Sequence, residues 1–296
     1  MLETKKQSKD PRQKHTKPPL PKQSQKHPGS SEQLEPKADY GEKSYKGTNR
    51  LTDRVALITG ADSGIGRAVA LAFAREGADV IVSYLCEEDD ARETERLVRE
   101  SGRTALLLGG DIRDEKHCRQ MVQRAFDDFG KLDILVNNAA YQMSQESVED
   151  FSAEQFDRVY RTNVFAMFYL CKAALPRMKP GSSILNTTSI QGYEPSHMLL
   201  DYASTKSAII GFTKALAKLA AEQGVRVNAV APGPVWTPLI PSTLPAEMVK
   251  EFGKDTLFGR PAQPCELAPI YVFLASEEAS YVTGEVYAAS GGQTPY

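Results

Sequence analysis

The chain is poor in the residues that cross-link or metallate small proteins: its 296 residues include four cysteines, four histidines and one tryptophan. Cys86, Cys118, Cys171 and Cys265 lie far apart with no paired spacing, which argues against a disulfide framework or a zinc knuckle and suits a reducing, cytoplasmic setting. His15, His27, His117 and His197 lack metal-ligand spacing, so no metal site is expected. No apolar run approaches the ~18 residues needed to span a membrane, and the N-terminus has no apolar centre of a signal peptide. A net charge of −2 gives no general reason to expect nucleic-acid binding. What is present, 41% hydrophobic and 25% charged residues, suits a soluble protein able to bury one large core.

The N-terminal stretch differs from the rest. Residues 1–50 contain six prolines, many Lys and Gln, and few aliphatic residues beyond Leu2, Leu20 and Leu34, too few for a core of their own. Their 12 Lys and Arg against 6 Asp and Glu give +6, within a total of −2, leaving −8 on the remainder. Two readings are open: a disordered arm over residues 1–49, or a segment whose Tyr40, Tyr45 and neighbours dock on the acidic body or on a neighbouring subunit.

From Arg54 onward, short apolar runs alternate with helical patterns. Strands are expected at about Val55–Thr59, Val80–Ser83, Ala105–Gly109, Ile134–Asn137, Ser183–Thr188, Val225–Ala231 and Val286–Ala289, and long helices at Ser152–Pro176 and Leu200–Gln223. The right-handed crossover rule turns this alternation into an α/β fold: a Rossmann-like, doubly wound, seven-stranded parallel sheet with helices on both faces. One domain, residues 50–296, would carry the chemistry. Ligands belong at the carboxyl ends of its strands.

The motifs fall there. Thr59-Gly60-Ala-Asp62-Ser63-Gly64-Ile65-Gly66 joins a strand to a helix rich in small residues, as a pyrophosphate cradle requires, although a plain strand-to-helix turn reads the same way in isolation. Asp111-Ile112 follows the third strand, where the carboxylate could receive an adenine amino group or cap a helix. Asn137-Asn138-Ala139-Ala140 ends the fourth strand, and Asn163 sits inside an apolar helical run as a kink or a satisfied core residue. Ser189, Tyr202 and Lys206 bring a hydroxyl, a phenol and an ammonium close in sequence, with Tyr202 and Lys206 four apart on one expected helix face. Tyrosine works as an acid or base near neutrality only if its pKa falls by roughly 2–3 units. A lysine about 4 Å away contributes roughly 4 kcal/mol towards that.

Taken together, Thr59 to Gly66, Asn137 to Ala139, Asn163, Ser189, Tyr202-x-x-x-Lys206 and Pro232-Gly233-Pro234-Val235-Trp236-Thr237 resemble the ordered motif set of the short-chain dehydrogenase/reductase family from about residue 50 onward. The runs Gln23-Ser-Gln25-Lys-His27-Pro28-Gly29 and Gly41-Glu42-Lys-Ser-Tyr45-Lys-Gly47, with Asp62 to Gly66 and Ser189-Ile-Gln191, are similar to a subgroup of bacterial oxidoreductases and plant glucose and ribitol dehydrogenase homologues. The resemblance implies hydride transfer between a nicotinamide cofactor and an alcohol or carbonyl substrate. Tyr202 would be the acid or base and Lys206 its electrostatic partner. Ser189 would hold the substrate oxygen, and Asn163 would complete a proton relay through water. Gly60, Asp62, Ser63, Gly64, Ile65, Gly66, Tyr84, Asp111, Ile112, Asn138, Ala139, Tyr202, Lys206, Pro232, Gly233, Val235 and Thr237 would bind the cofactor. Substrate neighbours would be Gln142, Gln191, Tyr193 and Trp236, with His197 and Leu239 nearby. Ala140 stands where the family pattern has Gly. The alternatives are a catalytically silent nicotinamide-binding sensor or scaffold, which the filled catalytic set disfavours, and an epimerase or dehydratase on the same fold.

Cofactor choice turns on the end of the second strand, where Tyr84 replaces the usual ribose-binding acid. Glu87, Glu88, Asp89 and Asp90 follow, and Arg67 is the nearby cation, so NAD(H) is expected over NADP(H) by a modest factor. The arm's charge and the resemblance together suggest a homotetramer.

Overall fold

Each expected apolar run becomes a strand in the computed structural model, which describes residues 10–293. The strands are β1 (Val55–Thr59), β2 (Asp79–Tyr84), β3 (Ala105–Gly109), β4 (Ile134–Asn137), β5 (Ser183–Thr187), β6 (Arg226–Pro232) and β7 (Val286–Ala289). They differ from the sequence boundaries by at most one residue at either end, because the ladder is fixed by hydrogen bonds rather than by where apolar side chains stop. Every residue of β1, β4 and β5 is buried, as central strands covered on both faces demand. All pairings are parallel, in the order β3-β2-β1-β4-β5-β6-β7. The order reverses between β1 and β4, which opens a crevice at their carboxyl ends.

Helices α1 (Gly64–Arg75) and α2 (Glu88–Glu100) follow β1 and β2, and α3 (Glu115–Phe129) follows β3. The expected helix over Ser152–Pro176 is not continuous. It comprises α4 (Ala153–Tyr160), a π-helical turn (Arg161–Phe165) and α5 (Ala166–Ala174). Asn163 lies in the π turn, where a widened backbone re-aims side chains. After β5 comes α6 (Leu200–Ala221), and after β6 the short α7 (Leu239–Thr243) and α8 (Ala246–Lys250), then α9 (Pro264–Ala275). One core packs α1, α2 and α9 on one face of the sheet, and a second packs α3, α5 and α6 on the other. Among the described residues, no helix is long and apolar enough to cross a membrane.

Residues 10–50 run along the body rather than forming a core of their own. Leu20 and Leu34 are buried with Trp236, Ile240 and Val249, and the Trp236 indole N–H donates to the Pro36 carbonyl at 2.7 Å. Tyr40 is buried, its ring under the Arg67 guanidinium at 4.7 Å and its hydroxyl donating to Ser31 at 2.9 Å. The arm ends at Glu76, a fully buried carboxylate after α1 that receives the Tyr45 hydroxyl at 2.6 Å, the Arg50 guanidinium at 2.6 Å and the Thr48 N–H at 2.8 Å. Leu2 lies outside the described residues.

Candidate active site

The turn after β1 is shaped by its glycines. A Cβ on Gly66 would stand 1.9 Å from the Gly60 carbonyl oxygen, so only glycine lets α1 start this close to β1. Gly60 and Gly64 adopt φ of +61° and +52°, which leaves a backbone cradle at the N-terminus of α1. Beside it, the Asn138 side-chain amide donates to the carbonyls of Thr59 at 3.1 Å and Gly60 at 3.2 Å. The Thr59 hydroxyl accepts the N–H groups of Asn138 and Ala139. These bonds weld the ends of β1 and β4 into one rim. Among the described residues, Asn49 and Asp53 are the non-glycines with positive φ, so Ala140 sits in an ordinary conformation and the absent glycine costs no strain.

A cleft of about 360 Å³ opens above this rim. Gly60, Asp62, Ser63, Gly64, Ile65, Tyr84, Asp111, Ile112, Asn138, Ala139, Pro232, Gly233, Val235 and Thr237 line it, as do Gln142, Ser189, Gln191, Tyr202, Lys206 and Leu239. The residues expected to gather at one site are thus contributed by the ends of six strands, β1 to β6, and by α6. Gly66 is instead a packing glycine. A preformed glycine cradle at a helix N-terminus, continuous with a polar pocket, fits a dinucleotide.

At one end of the cleft, the Ser189 hydroxyl accepts the Gln191 N–H at 3.1 Å and is close enough to the Tyr202 phenol to lower its pKa. Lys206 is buried, its Nζ donating to the Thr187 carbonyl at 2.8 Å and lying 5.2 Å from the centroid of the Tyr202 ring. The expectation that Lys206 lowers the phenol's pKa is not met in this arrangement. Burial pushes Tyr202 up to about 12, against the smaller lowering effect of Ser189, and burial brings Lys206 down to about 7. The ammonium is turned towards a carbonyl, and desolvation outweighs the attraction assumed from spacing. Asn163 answers to both sequence readings, the kink and the satisfied core residue. Its amide clamps Tyr141, accepting that residue's N–H at 2.8 Å and donating to its carbonyl at 2.9 Å, and it donates to the Thr205 hydroxyl at 3.0 Å. Next to it is a cavity of about 10 Å³ lined by Asn137, Asn163 and Thr187 among others, and the buried Asn137 Oδ1 has no hydrogen-bond partner.

At the other end, the Tyr84 hydroxyl donates to Glu88, which raises its pKa to about 12. Of the four carboxylates after β2, Glu87 lines the cleft. Asp90 instead pairs with Arg67 at 2.8 Å, and both are buried. Arg67 also donates to the Asp62 carbonyl and the Thr94 hydroxyl, so it is no free cation for a phosphate. Asp62 is buried in the cleft wall, and its carboxyl is raised to about 7 by burial and then by the neighbouring charge of Glu87. Asp111 is held below the usual carboxylate range by its hydrogen bonds from Arg113.

Three substrate expectations need correction. Trp236 is fully buried and its indole anchors the arm, so it does not face the cleft. Tyr193 and His197 do not line it either. Residues that sequence reasoning missed are His27, Pro28, Tyr141, Arg158, Leu199, Ile240, Leu244 and Phe252. Tyr141 and Leu199 adjoin recognised motifs and so were within reach. Nothing in the spacing of His27 and Pro28 pointed to the cleft.

Comparison with known proteins decides the family. A family model described as enoyl-(acyl carrier protein) reductase matches residues 60–294. The oxidoreductase YhdF of Bacillus subtilis is 50% identical over 284 residues, which cover 96% of this chain and 98% of that protein. The chain belongs to the short-chain dehydrogenase/reductase family. Glucose and ribitol dehydrogenase homolog 2 of Arabidopsis thaliana is 44% identical, covering 92% of this chain and 96% of its own. A short-chain dehydrogenase from Burkholderia cenocepacia, solved in complex with NADP, superposes with a TM-score of 0.77 at 29% identity over 82% of this chain and 99% of its own. Membership of the short-chain dehydrogenase/reductase family makes this an NAD(P)-dependent oxidoreductase.

Proposed function

We propose that the enzyme moves hydride between NAD(H) and a small alcohol or carbonyl compound such as a polyol, sugar, aldehyde or ketone, with Ser189, Tyr202, Lys206 and Asn163 as its catalytic set. The observation that carries this reading is the cleft itself, which has the glycine cradle at one end and Ser189, Tyr202 and buried Lys206 gathered at the other. The cofactor supplies hydride exchange at its nicotinamide ring. The chain supplies the rest. Ser189 holds the substrate oxygen, Tyr202 gives it a proton in reduction or takes one in oxidation, and Lys206, buried beside the Tyr202 ring, takes up its positive charge as the phenolate forms. Asn163 acts by holding the Tyr141 loop and bordering a cavity close to the size of one water, beside the unpartnered Asn137 oxygen, which suits a proton path through water.

The preference for NAD(H) is supported by Asp62 and Glu87 on the cleft wall and by the loss of Arg67 to Asp90. The setting is proposed as cytoplasmic, which the four unpaired cysteines suit. The test is a panel of polyols, sugars, aldehydes and ketones with each cofactor, followed by absorbance of the reduced nicotinamide. Catalytic efficiency is expected to favour NAD(H) by a modest factor. A clear preference for NADP(H) would overturn the cofactor assignment, and binding of nucleotide without turnover of any carbonyl or alcohol would favour a silent sensor.

A further inference from the structure

The arm crosses the cleft. His27 and Pro28 stand among the residues lining it, although they precede β1 by more than 25 residues. On one rim the His27 ring meets Tyr141 edge-on, with centroids 4.8 Å apart and planes at 85°. The Arg158 guanidinium lies over the same Tyr141 ring, 4.0 Å from its centroid, and Asn163 fixes the Tyr141 backbone at both its N–H and its carbonyl. On the other rim the Gln25 N–H donates to the Pro241 carbonyl at 2.8 Å, and the Ser242 hydroxyl donates to the Pro28 carbonyl at 3.2 Å, lacing the arm to α7. Gly29, at φ +89°, passes so close to Pro238 that a Cβ would stand 2.7 Å from the Pro238 carbonyl oxygen. Two residues later the Ser31 N–H donates to Asp90 Oδ2 in α2 at 2.9 Å.

Within seven residues the arm is therefore fastened to the loop after β4 and to α7, which line the cleft, and then to α2. A segment that merely shielded apolar surface would need neither glycine-tight passage nor anchors on both rims. We propose that residues 25–31 form a strap that closes the cleft over the bound dinucleotide, with His27 and Pro28 in direct contact with the ligand. This rests on the reading of the cleft as a nicotinamide-nucleotide site. Burial and then the charge of Arg158 lower His27 to about 4, so at neutral pH it presents an uncharged ring with hydrogen-bonding nitrogens. Because the strap is already docked, binding does not have to order it, and its effect falls mainly on release.

The test measures binding of NADH alone to the full chain, at equilibrium by its fluorescence and in stopped flow after displacement by excess NAD. His27→Ala and Gly29→Ala are compared with wild type and with Lys43→Ala, an exposed arm position outside the cleft lining. For both strap variants the Kd and the dissociation rate are expected to rise about 3–10-fold, as for loss of a preorganised wall, with Lys43→Ala unchanged. Values for His27→Ala within two-fold of wild type overturn the strap, even if its melting temperature falls, since a purely structural role moves only the latter. If wild type itself fails to bind NADH, the nucleotide reading falls along with the strap. If wild type binds and the variants bind equally well, only the strap falls.

Discussion

Tyr202 and Lys206 stand one helical turn apart, yet burial acts on them in opposite senses, raising the phenol and lowering the ammonium. Both shifts favour the neutral form, so the protein alone stores a phenol and a part-time amine rather than an ion pair. In oxidation the base form of Tyr202 is required, and because its pKa lies above neutrality, that form becomes more populated as pH rises. The oxidation rate should therefore climb with pH across the neutral range. A flat profile measured where a deuterated substrate shows hydride transfer to be rate-limiting would contradict the assignment. Tyr202→Phe removes the proton donor while leaving the ring, so kcat should fall by about 10²–10⁴-fold with nucleotide Kd nearly unchanged. Activity within a few-fold of wild type on a good substrate would remove Tyr202 from the chemistry.

At the scale of elements, the arm's last turn is fastened through Glu76. Burial alone would raise this carboxyl, but hydrogen bonds from Arg50, Tyr45 and the backbone hold it at about 2. Its pKa in the folded chain is thus below the ordinary 4.5, so its stabilisation is complete above that ordinary value and is lost as pH falls through about 2. Glu76→Gln should cost about 2–4 kcal/mol at pH 7 in urea titrations, with the difference from wild type shrinking between about pH 4.5 and 2. A constant difference across that range would mean that the carboxylate's charge is not what matters. The strands and the glycine turn were legible in the sequence because period and turn chemistry are local signals. The break at Arg161–Phe165 was not, since a π turn carries no spacing of its own and the Asn163 signal fitted a kink and a core residue equally. Trp236 was read by its place beside Pro232-Gly233 as a substrate neighbour. Its side chain points away because the arm, distant in sequence, offers the Pro36 carbonyl. Spacing put Lys206 one turn from Tyr202, and it does line the cleft, but spacing says nothing about desolvation.

For the whole molecule, Phe165 and Phe168 are exposed beside one another, and α6 presents Ser207, Gly211, Ala215 and Leu219 outward at intervals of four. A row with small residues lets two helices approach closely, and solvent-exposed aromatics suit a two-fold contact in the proposed homotetramer. Light scattering at micromolar concentration should give four times the chain mass of 32.5 kDa, and Phe168→Glu should shift the distribution to smaller species. A wild-type monomer would refute this assembly. The chain's single tryptophan has a separate consequence. Its indole is fully enclosed and donates to a carbonyl of the arm, so its emission reports whether the arm is in place. The unlabelled protein thus carries its own optical gauge. A red shift that precedes loss of the helical circular dichroism signal during denaturation would time the arm's departure separately from the collapse of the sheet, with no dye or engineered probe.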